Sequence, residues 1–151
     1  MESRDDTSQE EEAMMQEMRS LTRGLIEEVW NHGNLGVVDE LVDASYVGHP
    51  SGADGPEGYK QYFVALRAAF PDIRFSVEDE IAEGDKVAVR WTATGTHQGE
   101  YAGIPPTGKR GVISGMTTFH IADGKAVECW TNLDELGMLR QLGVLPLSQA
   151  G

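Results

Sequence analysis

The spacing of the apolar residues changes once along this chain of 151 residues, close to Pro71. Before that proline the apolar side chains recur at the 3.6-residue period of a helix; after it they alternate with polar side chains, as in a strand with one buried face. The helical segments are 14–30, 35–42 and 59–70, and the alternating segments are 73–78, 87–97, 112–121 and 126–134. Three helices followed by an antiparallel meander predict an α+β fold with the helices on one face of the sheet.

The composition of the N-terminal residues and the helical pattern near the C-terminus predict a single domain with an N-terminal tail. Residues 1–12 hold six acidic side chains and one arginine, a composition typical of a disordered segment. The alternating region is followed by a short helical pattern at 135–142, and Gly143 is placed as its C-cap. We therefore predict a disordered tail over 1–12 and one domain over 13–147. Long strands covered by few helices curl, and a curled sheet closed by helices forms a cone with an internal pocket.

Composition excludes several classes of function. With 25 acidic and 12 basic residues the net charge is −13, which repels phosphate backbones and anionic lipid, so neither nucleic acid nor membrane is expected as a partner. The single cysteine, Cys129, excludes an intrachain disulfide, and no signal-type apolar segment precedes the first helix, so we predict a cytoplasmic protein. No metal-ligand spacing, phosphate loop or nucleophile elbow is present, and no metal is predicted.

The hairpin around Asp123-Gly124 predicts which strand residues share a face. A tight turn there pairs Ile121 with Ala126 and Ile113 with Asp134. Alternation then places both apolar and polar residues on the inner face of the sheet: Phe119, Ile121, Trp130, Asn132 and Asp134. A carboxylate desolvated among aromatic rings has a raised pKa and can serve as a general base. The alternative is that Asp134 only caps the helix that begins at Glu135.

Three histidines are candidates for proton transfer. His97 shares the parity of the apolar face of its strand, which predicts that it points toward the pocket mouth. His120 has the opposite parity to Asp134, which places it outside the pocket or at a subunit interface unless a bulge intervenes. His49 belongs to an extended segment between two helices, where the chain can lie across the pocket mouth.

Several longer motifs resemble a known family. They are Ala69-Phe70-Pro71-Asp72, Gly84-Asp85-Lys86-Val87, the loop motifs at 95–101 and 103–109, the hairpin at 119–125, and the terminal run at 136–143. From about residue 18 to 145 the chain resembles the SnoaL-like polyketide cyclases, or ester cyclases, of the nuclear transport factor 2 (NTF2)-like superfamily. The resemblance implies an NTF2-like cone: a curved antiparallel sheet wrapped around three N-terminal helices, with a short C-terminal helix and a deep apolar pocket.

The resemblance also implies residue roles. It implies catalysis without a cofactor, a homodimer or homotetramer, a pocket aspartate on the last strand that matches Asp134, and a histidine on the preceding strand that matches His120. The match of His120 conflicts with the parity argument, and both possibilities stay open. The outward parity of Arg90, Thr92 and Met116 likewise favours association through the outer sheet face.

These observations give one leading hypothesis and two alternatives. The leading one is ring closure of a small, apolar, carbonyl-rich substrate by an intramolecular aldol-type step, in which Asp134 removes a carbon-bound proton. Asn132 and His97 would stabilise the enolate, and His120 or His49 would protonate the alkoxide. The predicted substrate contacts are Tyr46, Trp91, Phe119 and Trp130, together with His49 and Asn132. The alternatives are an epoxide hydrolase, dehydratase or isomerase on the same fold, and a non-catalytic binding module.

Overall fold

The computed structural model of the protein describes residues 2–144, with side chains from residue 6 onward. The helices are α1 (Glu2–Gly24), which continues as a π-helical segment (Leu25–Asn31), a 3₁₀ turn (Leu35–Val37), α2 (Val38–Leu41), α3 (Gly55–Ala69) and α4 (Glu135–Gln141). The strands are β1 (Val42–His49), β2 (Arg74–Glu83), β3 (Lys86–Thr96), β4 (Arg110–Ala122) and β5 (Lys125–Leu133). Helix gives way to strand between Ala69 and Arg74, where the apolar period changes. The fold is the predicted α+β cone.

α1 begins at Glu2, inside the predicted tail over 1–12, and the division of the chain into a disordered tail and a domain stays a prediction. The side chains of 6–14 are all exposed, and the first buried one is Met18. Adding residues to an existing helix costs far less than starting one, and Glu, Gln and Met are good helix formers. The helix therefore extends beyond the part that packs on the domain. At the other end, the predicted domain residues 145–147 lie outside the described part of the chain.

The five strands form one sheet in the order β1-β5-β4-β3-β2. The pairs formed by β2, β3, β4 and β5 are antiparallel, as predicted. β1, which the sequence indicated only as an extended segment, pairs in parallel with β5, with Gly48 opposite Cys129. The helices cover the inner face of this sheet, and the core between them is built from Leu25, Val29, Val87, Val89 and Phe119.

A bulge in β5 changes which of its residues face the helices. The turn has the predicted form: Asp123 and Gly124 have φ angles of 52° and 74°, and Ile121 lies opposite Ala126. The next pair is His120 with Glu128, which leaves one extra residue in β5. A shift of one residue moves every later side chain to the opposite face. The inner residues of β5 are therefore Cys129, Thr131 and Leu133, and the predicted inner set of Trp130, Asn132 and Asp134 is wrong.

Candidate active site

A cavity of two joined chambers lies between the inner sheet face and α3. The space between the atoms that line the inner and outer chambers, which includes solvent at the open mouth, is about 710 Å³ and about 1000 Å³. Six residues line both chambers and mark their junction: Trp30, Tyr62, Phe63, Tyr101, Thr131 and Leu133. The inner chamber is otherwise largely apolar, with Phe70, Ile73, Phe75, Trp91, Ile113 and Met138 in its wall.

Trp30 is held at the junction by the end of the first helical stretch. The side chain of Asn31 accepts from the Phe75 backbone N–H at 2.7 Å and donates to the Phe75 carbonyl at 3.1 Å, which ties the helix to β2. The Arg67 guanidinium donates to the Trp30 and Asn31 carbonyls at 3.0 and 2.6 Å, satisfying acceptors that a helix end leaves free. The Trp30 indole then stacks on both Phe63 and Phe119.

The sheet supplies the floor of the inner chamber. The Trp91 indole lies against Gly115, where a Cβ atom would overlap the indole ring, so glycine is required there. The indole Nε1 of Trp91 donates to Thr117 Oγ1 at 3.0 Å, and the Thr117 and Thr131 hydroxyl oxygens are 2.9 Å apart. These hydroxyls are the polar part of a floor that is otherwise aromatic and aliphatic.

Tyrosine hydroxyls surround the outer chamber. Burial raises the pKa of Tyr62 to about 12, and burial likewise raises the pKa values of Tyr46, Tyr59 and Tyr101. All four are therefore neutral hydrogen-bond donors at neutral pH. The Tyr59 oxygen accepts from Trp30 Nε1 at 2.8 Å, which leaves the Tyr59 proton available to a ligand.

Cys129 lies beneath these tyrosines. Its Sγ is 2.7 Å from the Tyr46 hydroxyl, and burial raises the pKa of the thiol. A protonated thiol is a poor nucleophile, so Cys129 is a small core residue with a weak polar contact, as the sequence predicted.

Glu135 is the one carboxylate among the described residues that line the two chambers. It stands in the first turn of α4, and its charge adds to burial in raising the pKa values of Tyr62 and Tyr101. α4 is fixed by two buried side chains, that of Met138 within the helix and that of Leu142 directly after it. Glu135 is thus an exposed acceptor at the rim of the outer chamber, which neutral phenols also line; the sequence pattern predicts it only as the first residue of a helix.

The prediction that Asp134 lies inside the pocket is wrong. Asp134 is exposed, and its Oδ1 accepts from the Gly137 backbone N–H at 2.9 Å, so it caps α4. The physical cause is the β5 bulge, which moved the predicted inner face by one residue. Thr131, three residues earlier, occupies the inner position instead.

His120 also lies outside the cavity, where the parity argument placed it. Its Nε2 is 2.8 Å from Asp85 Oδ2, at the turn end of the sheet. On the same outer face, the His49 ring stacks on Trp130 at 5.5 Å and its Nε2 is 2.7 Å from Glu128 Oε2. Trp130 is therefore not part of the pocket wall, which corrects the prediction.

The remaining predicted contacts lie at different depths. Tyr46 and Trp91 line the outer and inner chambers. Phe119 is fully buried in the core behind Trp30 and lines neither chamber, so its predicted place in the pocket wall is wrong. His49 contributes to the rim of the outer chamber, as does the exposed Asn132.

His97 is fully buried rather than at the pocket mouth, which corrects its predicted position. Its Nδ1 accepts from the Thr107 backbone N–H at 3.2 Å, and its backbone pairs with Gly108 and Lys109, so it anchors the loop between β3 and β4. The ring packs 5.4 Å from Phe70, behind the inner chamber, and Nε2 has no partner among the described residues.

The described residues contain no group of three or more His, Cys, Asp or Glu side chains arranged to hold a metal ion. Within the same part of the chain, no helix is long and apolar enough to cross a membrane. The polar groups of the residues that line the cavity are hydroxyls, indole N–H groups, the Cys129 thiol, the Asn132 amide and the Glu135 carboxylate, with the His49 ring at the rim, where it stacks on Trp130. Such a set can hold carbonyl oxygens and move a proton.

Comparison with known proteins agrees with this geometry. The family model of the SnoaL-like polyketide cyclases matches residues 20–142. The chain is 30% identical over 129 residues to aklanonic acid methyl ester cyclase DnrD from Streptomyces peucetius, covering 82% of this chain and 88% of the relative.

Two solved structures are similar in fold and in sequence. IdmH from Streptomyces antibioticus superposes with a TM-score of 0.73 at 35% identity, covering 84% of this chain and 99% of that one. TsrD from Streptomyces laurentii superposes with a TM-score of 0.79 at 28% identity, covering 85% and 96%. The family match, the cone and its cavity together show that the chain belongs to the SnoaL-like polyketide cyclases, a family of cyclase enzymes.

Proposed function

We propose that the protein closes a ring in an uncharged, carbonyl-rich polyketide-type molecule by a cofactor-free intramolecular aldol step. The observation that carries this proposal is the cavity itself: an apolar inner chamber, neutral phenol donors around the outer chamber, and one carboxylate, Glu135, beside them. The relative DnrD is named for the cyclisation of a methyl ester of this kind.

The charge of the cavity supports an uncharged substrate. No lysine or arginine is among the described residues that line the two chambers, and the chain as a whole carries a charge of −13. A free carboxylate would enter this site without a counter-ion and would be repelled by Glu135. An ester, ketone or lactone loses little hydration on entry, and its apolar rings fit the inner chamber.

The proposed step moves one proton and forms one carbon–carbon bond. Glu135 takes the acidic proton from a carbon between two carbonyl groups, and the Tyr59 hydroxyl donates to the resulting enolate oxygen. The enolate carbon attacks a second carbonyl of the same molecule, and the alkoxide that forms takes a proton back from Glu135. The product is an isomer of the substrate, so no electron acceptor is needed.

The test compares two adjacent carboxylates with aklanonic acid methyl ester as the trial substrate. Wild type and Asp134→Asn are expected to give an isomeric product and to exchange the acidic C–H with deuterium in D₂O. Glu135→Gln is expected to slow both by about 10²–10⁴-fold, the range for loss of a general base.

Mass spectrometry separates the competing reactions. A product heavier by one water would indicate epoxide hydrolysis or hydration, and saturable binding with neither product nor exchange would indicate a binding module. Either result contradicts the aldol proposal. Full activity in Glu135→Gln would contradict the role of Glu135.

A further inference from the structure

The polar floor of the cavity is a chain of hydrogen bonds that crosses three strands. It starts at the indole Nε1 of Trp91 on β3, which donates to Thr117 Oγ1 on β4 at 3.0 Å. It continues to Thr131 Oγ1 on β5, 2.9 Å from the Thr117 oxygen. Thr117 is buried, and Thr131 is half-buried at the junction of the two chambers.

The first member fixes the direction of the chain. An indole N–H can only donate, so the Thr117 oxygen accepts from it. The hydroxyl hydrogen of Thr117 then needs an acceptor of its own, because a buried donor left unpaired costs free energy. The Thr131 oxygen is the acceptor in place. Thr117 therefore donates to Thr131, and the hydrogen of Thr131 must turn away from Thr117.

Among the described residues, the Cys129 sulfur competes for that hydrogen, and it is a weak acceptor. A hydrogen bond links Thr131 to the neighbouring Cys129, whose sulfur already contacts the Tyr46 hydroxyl at 2.7 Å. A thiol sulfur accepts hydrogen bonds poorly, whereas a carbonyl oxygen accepts them well. We infer that the Thr131 hydroxyl donates a hydrogen bond to a carbonyl oxygen of the substrate at the junction of the two chambers.

This inference rests on the proposed function and adds an orientation to it. A hydroxyl that donates a hydrogen bond to a carbonyl oxygen does not remove a proton from the substrate, so Thr131 holds and polarises that carbonyl group. Proton removal then takes place on the Glu135 side of the outer chamber. A substrate of the matching class carries a carbonyl group between an apolar ring system, which fills the inner chamber, and the acidic C–H that faces Glu135.

The test uses 2-acetylnaphthalene with a ¹³C-labelled carbonyl group as the probe. Quenching of tryptophan fluorescence measures its binding, since Trp30 and Trp91 line the cavity. Infrared difference spectra measure the carbonyl stretch of the bound probe. Wild type and Thr131→Ser are expected to show the same lowering of the stretch frequency. Thr131→Val is expected to lose that lowering and to bind roughly fivefold more weakly, the loss typical of one neutral hydrogen bond.

Thr118→Val is the matched control, because it is the same substitution on the outer face of the sheet, where Thr118 lies opposite Trp130. It is expected to leave both signals unchanged. Thr131→Ala replaces the valine variant if that variant does not fold. Saturable quenching with the same carbonyl frequency in wild type and Thr131→Val would overturn the role of Thr131 and leave the proposed function standing. No saturable quenching by wild type would contradict the cavity as a ligand site, and both proposals with it.

Discussion

Asp134→Ala is expected to lower the free energy of unfolding by about 1 kcal/mol and to leave turnover unchanged. The lost contact is the hydrogen bond from the Gly137 N–H to Asp134 Oδ1, at 2.9 Å. An N-cap is worth about 0.5–2 kcal/mol, and water can reach this exposed end of α4, so the middle of that range applies. Met138 and Leu142 remain buried and keep α4 docked, so Glu135 stays beside the outer chamber.

For a domain of this size, about 1 kcal/mol corresponds to a fall in Tm of roughly 2–5 °C. Thermal and urea unfolding followed by circular dichroism measure it, with turnover assayed on the same samples. Asp134→Asn is the matched control, because asparagine caps helices as well as aspartate does. Unchanged stability in Asp134→Ala, combined with lost turnover in Asp134→Asn, would refute the cap and return Asp134 to the role of pocket base.

Three further predictions follow from the contacts of the cavity and the sheet. Phenolate absorbance is expected to show no tyrosine titrating at the ordinary pKa of 10.0 while the protein stays folded, with Tyr62 near 12. Because burial raises the pKa values of these phenols in the folded state, their contribution to the free energy of unfolding is complete below pH about 10 and is lost as the pH rises above it. A normal tyrosine titration in folded protein would contradict the burial of these rings. Gly115→Ala is expected to cost about 1–3 kcal/mol of unfolding free energy, since the added methyl displaces Trp91; unchanged urea unfolding would show that the indole lies elsewhere. His120→Gln is expected to leave kcat and KM unchanged, because its ring bonds Asp85 outside the cavity, and a loss of kcat would contradict that placement.

Much of the fold was predictable because it depends on local periodicity. The three helical segments, the hairpin turn at Asp123-Gly124 and the end of the closing helix follow from residue type and spacing. The structure has them, with Leu142 as the C-cap of α4 and Gly143, at a φ angle of 73°, directly after it. The family motifs predicted the cone and the family itself. Association through the outer sheet face stays a prediction.

The candidate site depended on features that the sequence pattern does not encode. One extra residue in β5 decides that Thr131 faces the cavity and that Asp134 caps a helix, and the sequence gives no local signal for that bulge. Tyr59 and Tyr62 of α3 match an ordinary apolar helix stripe, a pattern that predicts core residues and does not indicate phenol donors in a cavity.

The amino-acid sequence by itself determined the class of fold, the acidic charge and the family, since these depend on composition and on short-range spacing. Only the tertiary structure decided which side chains meet. The parallel pairing of β1 with β5 and the docking of α4 bring Tyr46, Cys129 and Glu135 to one chamber from three separate segments. Contacts of that kind depend on strand register and on the packing of whole elements, and a change of one residue in register reverses them.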